Sequence, residues 1–235
     1  MFCKKETKRV IEGLWNYLDT GTNVDAGCQV KNPVSSYICD EMARQEWESF
    51  FQNYSHALGL SSELLEAGSF LTNSDLGKPI LMTRDEQGRF RAFLNVCRHR
   101  GAILEEKERG RRRLFSCPFH GWGYSSAGGL ISVPKEDQFG DIDKSCNGLV
   151  ELPAEEKHGI LWVHPDPNGS FDLEAQLGDL AAEFDSWGFE KYIFQGNTTF
   201  EHQMNWKLAI DTFGETYHFN TLHRDTCLLY TSPSP

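Results

Sequence analysis

Two short segments in the middle of the chain combine cysteine and histidine at a spacing that can bind iron. Residues 97–99 read Cys-Arg-His and, after seventeen intervening residues, residues 117–120 read Cys-Pro-Phe-His. Two thiolates and two imidazoles in this arrangement can hold a [2Fe–2S] cluster, with both cysteines on one iron and both histidines on the other. The imidazoles raise the reduction potential above that of an all-cysteine cluster. The pattern therefore predicts an electron-transfer centre with these ligands: Cys97, His99, Cys117 and His120.

A structural zinc site is the competing interpretation, because zinc also takes thiolate and imidazole ligands. Zinc motifs commonly pair like ligands, as C-x2–4-C and H-x3–5-H. Here each segment contributes one cysteine and one histidine, as expected for a cluster that is bound by two loops, one on each side. Gly101, Gly121 and Gly123 allow backbone amides to approach cluster sulfurs closely. The spacing favours the cluster, and a zinc-stabilised interaction module remains as a competing class.

A second candidate site lies about a hundred residues further on, in the pattern Asp-x3-Glu-x2-His-x4-His. Glu215 and His218 are three residues apart, and Asp211 and Glu215 are four apart, so on a regular helix they share a face. His223 lies about 140° off that face, which predicts that the helix ends or kinks near residues 220–221. Two histidines here can supply part of a 2-His-1-carboxylate iron site with open positions for oxygen. Two ordinary surface histidines beside an acidic helix are the alternative.

The elements that must position these residues follow from the apolar periodicity and the breakers. Helical spacing predicts helices over residues 4–18 and about 40–54. Short strands are expected from Gly68 onward, with a hairpin that delivers the first metal loop. A run of Pro, Asp, Asn and Gly at 165–169 marks a boundary. The remaining elements predicted from the pattern are a closing strand at 159–163, a helix at 173–184, a strand at 192–202 and a helix from Trp206.

Composition narrows the classes of function. The chain has 235 residues and a formal net charge of −11, which argues against nucleic acid and anionic membranes as partners. We find no signal peptide and no run long enough for a membrane span. Two of the seven cysteines are assigned to the cluster. The other five are expected to be reduced thiols in a cytoplasm.

A cluster of four arginines lies between the two metal loops, at residues 109–113. It could be a docking patch for an acidic ferredoxin. The simpler interpretation is a solvated hairpin tip, and this second interpretation is favoured.

Both motifs resemble segments of one family. Residues 93–101 and 117–122 resemble the Rieske domain of ring-hydroxylating oxygenase α subunits. They are less similar to respiratory Rieske proteins, which carry an extra cysteine in each loop; Phe119 stands where one of these would be. The run from Asn205 to His223 resembles the catalytic-domain motif of the same family.

The resemblance implies an α+β protein. We expect N-terminal helices at 1–54, an all-β Rieske [2Fe–2S] domain at 55–165 and the beginning of a helix-grip-like catalytic domain at 166–226. The family's third iron ligand, an aspartate far downstream of the histidine pair, has no counterpart in this chain. Residues 227–235 look like a non-native tail, so a C-terminally truncated subunit is expected.

The resemblance also implies roles for the second motif. His218 and His223 would be the ligands of a mononuclear Fe(II). Glu215 stands where the family usually has an aspartate bridging the two metal centres, accepting hydrogen bonds from His218 and from His120 of the partner subunit. This implies a homotrimer or an α3β3 assembly. Asn205 and, more weakly, Asp211 are further candidates for the catalytic site.

The expected function is that of a terminal oxygenase. Electrons from NAD(P)H would arrive through a reductase or ferredoxin, pass to the cluster and then to the iron, where O2 is used to cis-dihydroxylate an aromatic substrate. Glu215 favours the alternative of a monooxygenase or demethylase acting on a quaternary ammonium compound. A Rieske-type electron carrier is a third possibility, but a carrier has no use for a second iron site.

Overall fold

The computed structural model describes residues 4–22 and 27–226. Contacts divide these residues into two units, one formed by 4–22 with Glu46–Gly196 and the other by 27–45 with 197–226. Helices and strands occur together, and the strands of the described residues all lie between His56 and Val163, which confirms the α+β class. The tail at 227–235, expected to be non-native, lies outside the described residues.

The first unit is built on three antiparallel sheets, with strand orders β1-β11-β10, β5-β2-β3-β4-β9 and β6-β7-β8. These strands are β1 (His56–Leu60), β2 (Ser69–Asn73), β3 (Ile80–Arg84), β4 (Phe90–Leu94), β5 (Arg109–Arg111), β6 (Leu114–Ser116), β7 (Gly123–Ser125), β8 (Leu130–Ser132), β9 (Glu151–Leu152), β10 (Ala154–Lys157) and β11 (Ile160–Val163).

Two hairpins carry the two metal loops. In the first, β3 pairs with β4, so that Ile80 lies opposite Leu94 and the chain then enters the first loop. In the second, β6 pairs with β7, and Ser116 lies opposite Gly123. Residues 117–122 therefore form a closed loop at the end of a strand pair. The predicted hairpin and the predicted closing strand, β11, are both confirmed.

A buried aromatic core stands behind both loops. Phe70 and Phe115 meet edge to face with ring centroids 5.5 Å apart, a geometry that adds about 0.5–1.5 kcal/mol to area burial. Phe93 is 1% exposed in the same cluster, which also contains Cys97 and Cys117. Because the metal-loop cysteines share this core, the loops are anchored to the sheets by packing as well as by strand pairing.

The helices predicted for residues 4–18, 40–54 and 173–184 are present, but they begin and end at different residues. Helix α1 covers Lys4–Thr20. The helix predicted for 40–54 begins as α3 (Asp40–Glu46), in the second unit, and continues as a π turn at Trp47–Phe51. The helix predicted for 173–184 is split into α4 (Leu173–Leu177) and α5 (Leu180–Trp187). It breaks at Gly178, whose φ is +52°.

The prediction of a strand at residues 192–202 is wrong. This stretch has no regular structure, and no strand of the described chain pairs with it. A strand without a partner leaves its backbone donors and acceptors to solvent, and Gly196 and Asn197 have low strand propensity.

The second unit contains α2 (Ser35–Ile38) and α6 (Trp206–Phe213). Asn205 begins α6 as its N-cap, with its side-chain oxygen accepting the Lys207 backbone N–H at 3.0 Å, as a capping residue should. This confirms the helix expected from Trp206. Among the described residues no helix combines the length and the apolar character needed to cross a bilayer.

Candidate metal centres

The two metal loops have the same backbone geometry. In each, the cysteine N–H donates to the carbonyl five residues later: Cys97 donates to Ala102 and Cys117 donates to Trp122, both at 2.8 Å. The N–H four residues later donates back to the cysteine carbonyl, from Gly101 at 3.0 Å and from Gly121 at 2.9 Å. Both glycines have φ of +73°, a conformation costly for a residue with Cβ. The sequence therefore builds two matched loops that present one cysteine and one histidine each.

The four predicted ligands converge. Cys97 and Cys117 are 2% and 3% exposed and belong to the same buried cluster. The rings of His99 and His120 have centroids 4.7 Å apart. Burial raises the pKa of the Cys117 thiol, so a nearby cation is needed to stabilise its thiolate.

The side chains fit an iron–sulfur cluster. Nδ1 of His99 is buried without a hydrogen-bond partner, a state that costs about 1–3 kcal/mol unless a ligand satisfies it. Burial and the neighbouring His120 lower the pKa of His99, which keeps the imidazole in the neutral form that binds metals. In the described residues no three Cys, His, Asp or Glu side chains converge on one ion.

Tyr124 adds a hydrogen bond to this centre. The side chain is fully buried, and its hydroxyl oxygen accepts the Arg98 backbone N–H at 3.0 Å. The same hydroxyl lies 3.3 Å from Sγ of Cys97. Since the Arg98 N–H is the donor on one side, the Tyr124 proton is free to be donated to the sulfur. Burial and Cys97 both raise the pKa of Tyr124, so the phenol keeps this proton.

Tyr124→Phe is expected to lower the reduction potential of the bound cluster. A hydrogen bond to a cysteine sulfur stabilises the more negative, reduced state. Loss of about 1.4 kcal/mol corresponds to about 60 mV for a one-electron couple. Redox titration followed by visible absorbance measures the shift. Tyr54→Phe, at an exposed tyrosine, is the control and should leave the potential unchanged; an equal potential in Tyr124→Phe and wild type would contradict the assignment.

The second candidate site brings three of its predicted residues together. The rings of His218 and His223 have centroids 5.2 Å apart. Nδ1 of His218 donates to Oε1 of Glu215 at 2.5 Å, which leaves Nε2 of His218 for a metal. This bond lowers the pKa of Glu215 and keeps it ionised. The two imidazoles fit a shared iron, while no carboxylate of the described residues completes a three-ligand group.

The prediction that one helix carries Asp211, Glu215 and His218 on one face is wrong. Helix α6 ends at Phe213, and Gly214 caps it. Glycine costs about 1 kcal/mol in a helix interior relative to alanine. Glu215 then accepts the Tyr217 N–H at 2.5 Å and starts a separate 3-10 turn, Tyr217–Asn220. The break falls about six residues earlier than predicted, and it is this turn that brings Glu215 onto His218.

Asn205 and Asp211, the weaker catalytic candidates, contact Tyr37 instead of the histidines. Nδ2 of Asn205 donates to the Tyr37 carbonyl at 3.1 Å. Oδ2 of Asp211 accepts the Tyr37 hydroxyl at 2.6 Å. Their catalytic roles remain predictions.

The arginine cluster is not a hairpin tip. Residues 109–111 form β5, which pairs with β2 at the edge of the five-stranded sheet. Each arginine has a carboxylate partner, so the local positive charge is largely offset. The partners of Arg109, Arg111, Arg112 and Arg113 include Glu63, Glu66, Glu105 and Glu86, respectively.

Comparison with known families agrees with both sites. Residues 55–153 match the Rieske [2Fe-2S] domain, and residues 189–233 match the catalytic domain of the ring hydroxylating alpha subunit. The first match contains all four predicted cluster ligands, and the second contains Glu215, His218 and His223. In these two segments the chain is similar to Rieske ring-hydroxylating oxygenase α subunits.

Relatives include both aromatic and quaternary ammonium oxygenases. The large subunit of anthranilate 1,2-dioxygenase from Acinetobacter baylyi is 31% identical over 78% of this chain and 40% of its own length. The oxygenase subunit of carnitine monooxygenase from Acinetobacter baumannii is 28% identical over 81% of this chain and 52% of its own. The crystal structure of naphthalene 1,2-dioxygenase from Rhodococcus sp. bound to indole superposes with a TM-score of 0.76, at 28% identity over 99% of this chain and 52% of that one.

The chain thus spans about half or less of the length of these relatives. The four residues predicted as cluster ligands lie on the two matched loops, and Glu215, His218 and His223 lie together; their roles as ligands stay predictions. Tyr124 and Tyr37 were not predicted, because neither lies in a ligand motif. The one available signal for Tyr124 was its position four residues after His120, on the strand that leaves the second loop.

Proposed function

We propose that this chain acts in the terminal oxygenase component of a multicomponent Rieske oxygenase. The observation that carries the proposal is the convergence of Cys97, Cys117, His99 and His120 on matched loops, with the Nδ1 of His99 buried and unpaired. The second group, with His218, His223 and Glu215 in contact, supports an oxygenase over a simple electron carrier.

Each group of residues would have a separate role in this function. When bound, the cluster supplies one-electron transfer and the mononuclear iron supplies O2 activation. Cys97, His99, Cys117 and His120 hold the cluster, and Tyr124 sets the charge on Cys97 through its hydrogen bond. His218 and His223 hold the iron. Glu215 fixes the tautomer and orientation of His218 by accepting its Nδ1 proton, as outer-shell carboxylates do for metal-bound histidines.

The proposed partners follow from these roles of the cluster and the iron. A ferredoxin or reductase that draws on NAD(P)H supplies the electrons. Glu215 of one subunit meets His120 of the partner subunit in a homotrimer or an α3β3 assembly. A small organic substrate and O2 meet at the iron. A cytoplasmic location is part of the proposal, because the cysteines outside the cluster are expected to be reduced thiols.

An aromatic substrate with cis-dihydroxylation is the leading proposal. It is supported by the Rieske-loop resemblance and by aromatic dioxygenases among the relatives. Glu215 favours the second candidate, oxidation of a quaternary ammonium compound, because that branch of the family resembles this chain in having glutamate there. A carnitine monooxygenase subunit among the relatives supports the same alternative.

Substrate-dependent O2 uptake tests the proposal. A chain of the relatives' length is supplied with NADH, a reductase and a ferredoxin, together with naphthalene or with carnitine. We expect uptake with naphthalene and a cis-diol product. Uptake with carnitine alone would replace the leading substrate class by the second. Absence of substrate-dependent uptake with a loaded cluster would favour an electron carrier. His218→Ala should abolish uptake, whereas His202→Ala, at an exposed histidine, should not.

A further inference from the structure

Tyr37 is bound to both ends of helix α6 within the second unit. Its hydroxyl donates to Oδ2 of Asp211 at 2.6 Å, and its carbonyl accepts from Nδ2 of Asn205 at 3.1 Å. Asn205 is the N-cap of α6, and Asp211 lies in its last turn. One residue, 174 positions away in sequence from Asp211, therefore contacts the helix at two points about 9 Å apart along its axis.

The hydroxyl contact has the character of a charge-assisted hydrogen bond. Nδ2 of Asn32 donates to the Tyr37 oxygen at 2.6 Å, which leaves the phenol proton for Asp211. The carboxylate raises the pKa of Tyr37, so the donor keeps its proton. Hydrogen bonds from neutral donors to carboxylates are shorter and stronger than neutral pairs.

The position of α6 decides the position of the second metal site. The helix ends at Phe213, Gly214 follows, and Glu215 and His218 form their hydrogen bond immediately afterwards. A helix of eight residues is marginal without tertiary contacts. Contacts that fix its first and last turns therefore also fix where the Glu215 and His218 pair begins.

We propose that Tyr37 is a positioning residue for the iron-ligand segment, acting through its hydrogen bonds to Asp211 and Asn205. The proposal rests on the proposed function only in treating residues 215–223 as the segment that holds iron. It also gives Asp211 a role: its carboxylate is engaged with Tyr37 and orients the helix.

Hydrogen exchange of the chain as it stands, without added metal, tests the proposal. Tyr37→Phe removes only the hydroxyl, and we expect amide exchange in peptides covering 206–223 to become about fivefold faster or more. Peptides from β2 to β4 of the first unit should exchange as in the wild type. Tyr54→Phe, at an exposed tyrosine of the first unit, is the matched control and should change neither region.

A second pair of variants separates positioning from general stability. Asp211→Asn retains an oxygen that can accept from Tyr37, so it should keep most of the protection, whereas Asp211→Leu should match Tyr37→Phe. Unchanged exchange at 206–223 in Tyr37→Phe would overturn the proposal. Equal acceleration in both units, or equal effects of Asn and Leu at position 211, would overturn it as well. Because no iron or substrate is present, these outcomes do not depend on the oxygenase assignment.

Discussion

Cys117→Ser is expected to produce a protein without its iron–sulfur cluster. The cysteine lies in the second loop, is 3% exposed and shares a buried cluster with Cys97. A serine hydroxyl is a poor ligand for iron in this site compared with a soft thiolate. The purified variant should have lost the visible absorption of the cluster and nearly all of its iron and acid-labile sulfide.

The same variant should also be less stable, because ligand binding to the folded state contributes to folding free energy. Thermal unfolding followed by circular dichroism measures this effect. Cys146→Ser is the matched control, since Cys146 is exposed and its thiol donates to Oδ2 of Asp143 at 3.1 Å. The control should keep its colour and iron. A Cys117→Ser protein with full iron and sulfide would show that this residue is not a ligand.

Glu215→Gln is expected to separate metal binding from turnover. The glutamine keeps an oxygen to accept the His218 Nδ1 proton, so iron content should stay close to that of the wild type. The negative charge is lost, and turnover coupled to the substrate should fall about 10- to 100-fold, the usual effect of changing a carboxylate that orients a metal-bound histidine. The test uses a chain of the relatives' length with its electron donors, and follows product formation together with iron content.

Glu201→Gln provides the control for this change. Glu201 is exposed and belongs to the same unit, and its substitution should leave turnover unchanged. Normal turnover in Glu215→Gln would remove the proposed bridging role. Loss of iron together with turnover would instead make Glu215 a metal ligand or a folding residue.

The cluster site could be predicted from the sequence because its determinants are local. Each loop carries its ligands and its glycine within five residues, and the hairpins that present them have short turns. Strand β1 could not be predicted in this way. Its residues pair with β11, so that Leu60 lies opposite Ile160, and a partner a hundred residues away leaves no signal in the local pattern.

The residues of the second site were predicted from the sequence, but their local structure was not. Regular helical geometry places Glu215 and His218 on one face, but Gly214 ends the helix first. The same pair meets through a 3-10 turn. Tyr37 illustrates a further limit, because its hydrogen bonds to Asp211 and Asn205 join segments distant in sequence, and nothing near Tyr37 resembles a ligand motif.

The most direct test of the account is the metal and sulfide content of the purified chain, combined with electron paramagnetic resonance after reduction. We expect two irons and two acid-labile sulfides for the cluster, and a resonance spectrum typical of a cluster with two histidine ligands that disappears in His120→Ala. A colourless protein containing zinc, or a spectrum unaffected by the loss of His120, would contradict it.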